Sequence, residues 1–128
     1  AISNVDDEKV FIDVQESLSS TAQVNTQVEN KNFVLTKTLD SLYKNEKIDL
    51  IKMDIEGFEM NALLGATEII TNQLPTLILS AYHKNRDIYD FIEFIQSLSN
   101  EYKLYCYHHP LTYHEIEYYF VNKKLYKD

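Results

Sequence analysis

Ile48-Asp49-Leu50-Ile51-Lys52-Met53-Asp54-Ile55-Glu56-Gly57-Phe58-Glu59 is the stretch that decides the fold. Leu50, Ile51, Met53 and Ile55 crowd together with β-rich character, as expected of a parallel strand covered on both faces. Glu56-Gly57 ends that strand, because glycine accepts the sharp turn needed before a helix. Met60, Leu63, Leu64, Ile70 and Leu74 then recur at helical spacing, predicting one amphipathic helix over residues 58–73 that Pro75 stops. Strand, turn and helix in this order form the building unit of a parallel α/β sheet.

Working outward, the unit repeats. Residues 76–82 read as a second apolar strand. Ile88, Phe91, Ile92, Ile95 and Leu98 fall on one helical face, with Asp87 and Asp90 in the first turn, where they complement the helix dipole. Residues 102–108 and 115–121 alternate on either side of Pro110 and predict a hairpin. Upstream, residues 9–15 alternate, with Val10, Ile12 and Val14 on one face, and residues 33–38 predict an antiparallel partner. Residues 16–32 are polar and aperiodic and read as a long loop or link. A short helix follows over residues 38–45, capped by Thr38 or Asp40. The expectation is an α/β fold in one partial domain over residues 1–128. Residues 1–45 hold a β-hairpin and a short helix, and residues 46–128 hold the core portion, which ends in an antiparallel hairpin.

Bulk properties narrow the function. The chain has 128 residues, 45% hydrophobic and 25% charged, the balance of a globular domain. Twenty acidic against 12 basic residues leave a net charge of −8, which repels a phosphate backbone and argues against nucleic acid as a partner. Apolar runs are too short for a membrane span, and no secretory pattern opens the chain. The single cysteine, Cys106, lies between Tyr105 and Tyr107 and reads as a buried strand position, not a nucleophile. These features fit a cytoplasmic protein. Gly57 and Gly65 are the only two glycines, where average usage gives about nine. A nucleotide-binding α/β domain needs a glycine-rich first turn, and none can form here.

Two strand ends carry polar clusters, where open α/β sheets bind ligands. Alternation sets Lys52, Asp54 and Glu56 on one side, and Tyr82-His83-Lys84 ends the next strand. Asp54 and Glu56 suit a general base or oxygen ligation of a divalent metal, and His83 suits proton transfer. The structural alternative pairs Lys52 with Asp54 or Glu56 and leaves Glu59 to cap the helix. Charged residues within a buried strand are costly, which favours a site. Lys52, Asp54, Glu56 and His83 are the candidate catalytic residues, and no metal is assigned. His108, His109 and His114 are poorly spaced for zinc. The tyrosines of the terminal hairpin, Tyr102, Tyr105, Tyr107, Tyr113, Tyr118 and Tyr119, read as packing, with a sugar-stacking surface as the alternative.

Thr38-Leu39-Asp40, then the strand ending in Lys52-Met53-Asp54-Ile55-Glu56-Gly57-Phe58-Glu59, then Leu63-Leu64-Gly65-Ala66 resemble the FkbM-type methyltransferases. Residues 77–83 match the family's following strand, except that Ser80-Ala81-Tyr82 stands where members often carry a glutamate before the histidine. The resemblance runs from about Lys9 to Val121. It implies a Rossmann-like class I methyltransferase sheet, S-adenosylmethionine as donor, and a hydroxyl acceptor on a sugar or natural product.

By the same resemblance, the first strands, the Gly-rich loop and the ribose-binding acid should precede residue 1, making this the C-terminal part of the domain. Residues 50–55 then become an exposed sheet edge, expected to pair with another chain, as in a homo-oligomer, or to leave the fold marginal. Two functions stay open. One is an O-methyltransferase whose acceptor half is this chain, with a small molecule or glycan as partner. The other is a non-catalytic remnant or a carbohydrate- or protein-binding module.

Overall fold

The computed structural model describes residues 1–13, 23–25, 33–108, 110 and 115–125. Strands β1 (Lys9–Asp13), β2 (Gln23–Asn25) and β3 (Phe33–Leu35) form an antiparallel sheet in the order β2-β1-β3. The predicted pairing of the first strand with residues 33–38 holds, with Val10 opposite Val34. The stretch read as a loop over 16–32 is corrected: it contains β2, which pairs with β1 through Ile12 and Val24. Three residues of polar sequence are too few to show a period, so only the neighbouring strand reveals this one.

Helix α1 (Leu39–Leu42) starts at Thr38, whose hydroxyl accepts the Ser41 N–H at 3.1 Å. Strand β4 (Leu50–Met53) leads through a tight turn into α2 (Glu59–Leu64). The single helix expected over 58–73 is two, because α3 (Thr67–Gln73) starts afresh after Gly65-Ala66. Asp40 explains the restart. Its carboxylate accepts the Glu68 and Ile69 N–H groups, both at 2.9 Å, capping α3 from outside, while its own N–H donates to the Gly65 carbonyl at 2.8 Å. Gly65 is required there: a Cβ would lie 2.1 Å from the Ser3 carbonyl oxygen. Leu74 closes α3 in the left-handed region at φ 53°, and Pro75 follows.

Strand β5 (Thr76–Ser80), helix α4 (Asp87–Leu98), strands β6 (Tyr102–His108) and β7 (Ile116–Asn122) and a 3-10 turn (Lys123–Leu125) complete the chain. The main sheet runs β4-β5-β7-β6: β4 and β5 are parallel, and β7 is antiparallel to both its neighbours. The expected α/β sheet closing in an antiparallel hairpin is therefore present, with β7 inserted between β5 and β6.

Helices α2, α3 and α4 pack on one face. Ala62, Leu63, Ile70, Phe91 and Ile95 meet Met53, Leu77, Leu79, Tyr118 and Phe120, all essentially buried. Each large side chain so buried contributes about 1.5–3 kcal/mol. Two burial expectations are corrected. Leu50 is 56% exposed, so β4 is not covered on both faces; among the described residues it pairs only with β5 and presents an open edge. Cys106 is exposed, because β6 is the outermost strand on the far side. The tyrosines divide: Tyr118 is buried and Tyr102 donates to the Pro75 carbonyl at 2.9 Å, whereas Tyr105 and Tyr107 are exposed and Tyr113 lies outside the described residues. Among the described residues, no helix is long and apolar enough to cross a membrane.

Candidate functional site

The parallel register sets Met53 beside Leu79, so the carboxyl ends of β4 and β5 emerge together. Beyond β4 the backbone turns through two residues of positive φ, Glu56 at 57° and Gly57 at 89°. Glycine tolerates this; at Glu56 the conformation is strained, a state that persists where surrounding contacts enforce it. The Glu59 carboxylate does so by accepting the Ile55 N–H at 2.8 Å through Oε1. Glu59 therefore braces the turn, while the N-cap position of α2, Phe58, has no side-chain cap. Opposite, the Lys84 and His83 side chains lie 3.1 and 3.7 Å from where a Cβ on Gly57 would sit, so the two strand-end clusters close on one another.

His83 occupies the centre, its side chain only 9% exposed. Its Nε2 lies 3.5 Å from Asp54 Oδ1 and 3.6 Å from Glu56 Oε2. Its Nδ1 lies 2.9 Å from Glu59 Oε1, a carboxylate with 1% exposure. That last contact falls short of a directed hydrogen bond, since Nδ1 and Glu59 Oε2 are both buried without a hydrogen-bond partner. Tyr82 stacks beside His83 with ring centroids 4.3 Å apart and donates to Asp54 Oδ1 at 3.4 Å. Burial pushes the Tyr82 phenol up, and the Asp54 charge adds to it. Asp87 anchors the His83 loop by accepting the Lys84 N–H at 2.8 Å. Burial pushes its carboxyl above the usual range, with a further contribution from Glu59.

Asp54, Glu56 and His83 are thus brought together. Lys52 is not among them. Its ammonium turns along the opposite face of the sheet to Glu117 on β7, at 3.8 Å, so the ion pair expected with Asp54 or Glu56 does not form. Glu59 belongs to the cluster although it reads as a cap in the sequence, and its burial carries no sequence signal of its own. His108 lies on β6, paired with Ile116, and His109 and His114 fall outside the described residues. Beside Glu56 an apolar recess of about 370 Å³ opens at the free edge of β4, lined by Ile2, Leu39, Ile51, Met53 and Phe58 among others.

The sequence matches the Methyltransferase FkbM domain over residues 3–104. The chain belongs to the FkbM methyltransferase family. A crystal structure of Methyltransferase FkbM from Methylobacillus flagellatus superposes with a TM-score of 0.64 at 33% identity, over 69% of this chain and 23% of that one. The chain spans about a quarter of the length of this solved relative. No curated protein matches the chain.

A methyl donor implied by the family needs backbone open to close approach. The described residues do not fit one by themselves. Gly57 is covered by Lys84 and His83, and Gly65 is pressed against the Ser3 carbonyl, so neither glycine exposes backbone to a ligand.

Proposed function

We propose that this chain supplies the acceptor side of an S-adenosylmethionine-dependent O-methyltransferase acting on a sugar or natural-product hydroxyl. The observation that carries the reading is the meeting of Asp54 and Glu56 at His83 Nε2, beside an apolar recess and at the carboxyl ends of two parallel strands. The recess receives the apolar part of the acceptor, and the half-exposed carboxylates orient its hydroxyl. The hydroxyl proton passes to this cluster, leaving the oxygen as the nucleophile that methyl transfer requires. Lys52, held by Glu117, bears on the opposite face of the same strand and tunes the site from a distance. The donor binds outside the described residues, in a cytoplasmic protein.

A second reading is a non-catalytic remnant or a carbohydrate- or protein-binding module. The covered glycines and the open β4 edge favour it, since that edge also offers a second copy of the chain a strand to pair with. Calorimetry with S-adenosylmethionine separates the two. Binding only when the chain is joined to a donor-binding segment supports the acceptor-half reading. Binding by these 128 residues alone overturns the placement of the donor, and silence from both proteins favours the second reading.

A further inference from the structure

Three carboxylates share one imidazole. Asp54, Glu56 and Glu59 each have His83 as their ion-pair partner, and among the described residues no lysine or arginine pairs with any of them. One imidazole thus faces three carboxyl groups, and one of these, Glu59, is fully buried. An uncompensated buried carboxylate is costly, and native proteins avoid it by pairing the charge or by binding a cation.

The donor geometry matches such a cation. Asp54, Glu59 and His83 each bring one potential ligand atom to within 4.8 Å of the others. Metal–ligand bonds of about 2.0–2.4 Å span that separation through one shared ion. Two of these residues also carry an unsatisfied polar atom: Glu59 Oε2 and His83 Nδ1 are buried and have no hydrogen-bond partner. Asp54, half exposed, stands on the solvent side of the group, so the site has both a closed floor and an entry path.

We propose that Asp54, Glu59 and His83 bind one divalent cation of the magnesium or manganese class. Two carboxylates and an imidazole suit these hard ions better than thiolate-preferring ones. Glu56, whose Oε2 is 3.6 Å from His83 Nε2, lies at the rim and is left as the carboxylate that accepts the acceptor's proton. The cation polarises the acceptor oxygen. This catalytic role rests on the acceptor-site reading above, whereas the ion site itself does not.

Manganese(II) titration followed by electron paramagnetic resonance, which reads the loss of the free-ion signal, tests the site. One Mn²⁺ binds per chain and is displaced by Mg²⁺. Asp54→Asn and Glu59→Gln each weaken binding by more than about tenfold, the loss already typical of removing an outer-shell partner. Asp49→Asn, at an exposed acid paired with Lys47, leaves it unchanged. Circular dichroism checks the fold, and because Asp54 is half exposed its variant remains decisive if Glu59→Gln unfolds. No saturable binding, or binding indifferent to Asp54→Asn, overturns the proposal. Methyl transfer that persists in a chelator also overturns the catalytic role while leaving the acceptor-site reading in place.

Discussion

Gly65→Ala puts two physical effects in opposition. Gly65 ends α2 at φ −79°, ψ 3°, a conformation any residue adopts, so helix propensity alone favours alanine by up to about 1 kcal/mol. The packing says the reverse. The new methyl carbon would lie 2.1 Å from the Ser3 carbonyl oxygen, 3.1 Å from its carbon and 3.3 Å from Asn4 Cα. A carbon–oxygen contact needs about 3.3 Å, so something must move by about 1.2 Å. Ser3 is poorly placed to yield: it is buried, its N–H donates to the Lys37 carbonyl at 3.0 Å, and Lys37 returns a bond to Ala1 at 2.8 Å. Overpacking against fixed backbone costs about 1–3 kcal/mol, and the steric term wins, for a net loss of about 1 kcal/mol or more. In urea, with a slope of about 1.5 kcal/mol/M, the unfolding midpoint falls by about 0.7 M or more. A midpoint that is unchanged or higher would mean that the N-terminal segment is not seated on Gly65, and that α2 and α3 are free to fuse as their sequence period suggests.

Three further outcomes follow from the same packing. Asp40→Ala removes the cap on α3 and lowers stability by about 1–2 kcal/mol in thermal unfolding, and Asp40→Asn recovers part of it. Gly57→Ala forces a Cβ into φ 89° against Lys84 and costs about 1–2 kcal/mol or more, with a matching loss of Mn²⁺ affinity because the turn that aims Glu59 is disturbed. Glu59→Leu removes the carboxylate that accepts the Ile55 N–H, lowers the melting temperature in chelator, and abolishes the rise that Mn²⁺ gives the parent protein.

The strand–turn–helix of residues 48–59 was legible because its cues are local: a β-rich run, a turn glycine and an acid at the helix start. The adjacency of His83 to Asp54 followed from one inference, that successive strands joined by a helix lie side by side, and β4 and β5 do. What escaped depended on contacts distant in sequence. The break at Gly65 is made by Ser3 and Asp40, and nothing in the apolar period from Met60 to Leu74 announces it. Cys106 alternates like a core position, yet its burial depends on strand order, which leaves β6 at an edge. Lys52 and Asp54 alternate in the sequence, but β4 ends at Met53, and the turn beyond it brings Asp54 to His83 while Lys52 reaches past β5 to Glu117 on β7. Glu59 offers only its residue type, and the burial that makes it a site residue is a property of the assembled core.

The most direct test of the central claim, that the Asp54–Glu56–His83 cluster receives the acceptor hydroxyl, is transfer of labelled methyl from S-adenosylmethionine to hydroxyl acceptors by this chain joined to a donor-binding segment. The parent is compared with an Asp54→Asn, Glu56→Gln double variant. The account predicts that kcat falls by about 10²–10⁴, the scale of lost general-base catalysis, while donor affinity stays within about twofold. Undiminished transfer by the double variant would contradict it, as would a loss of donor binding equal to the loss of rate.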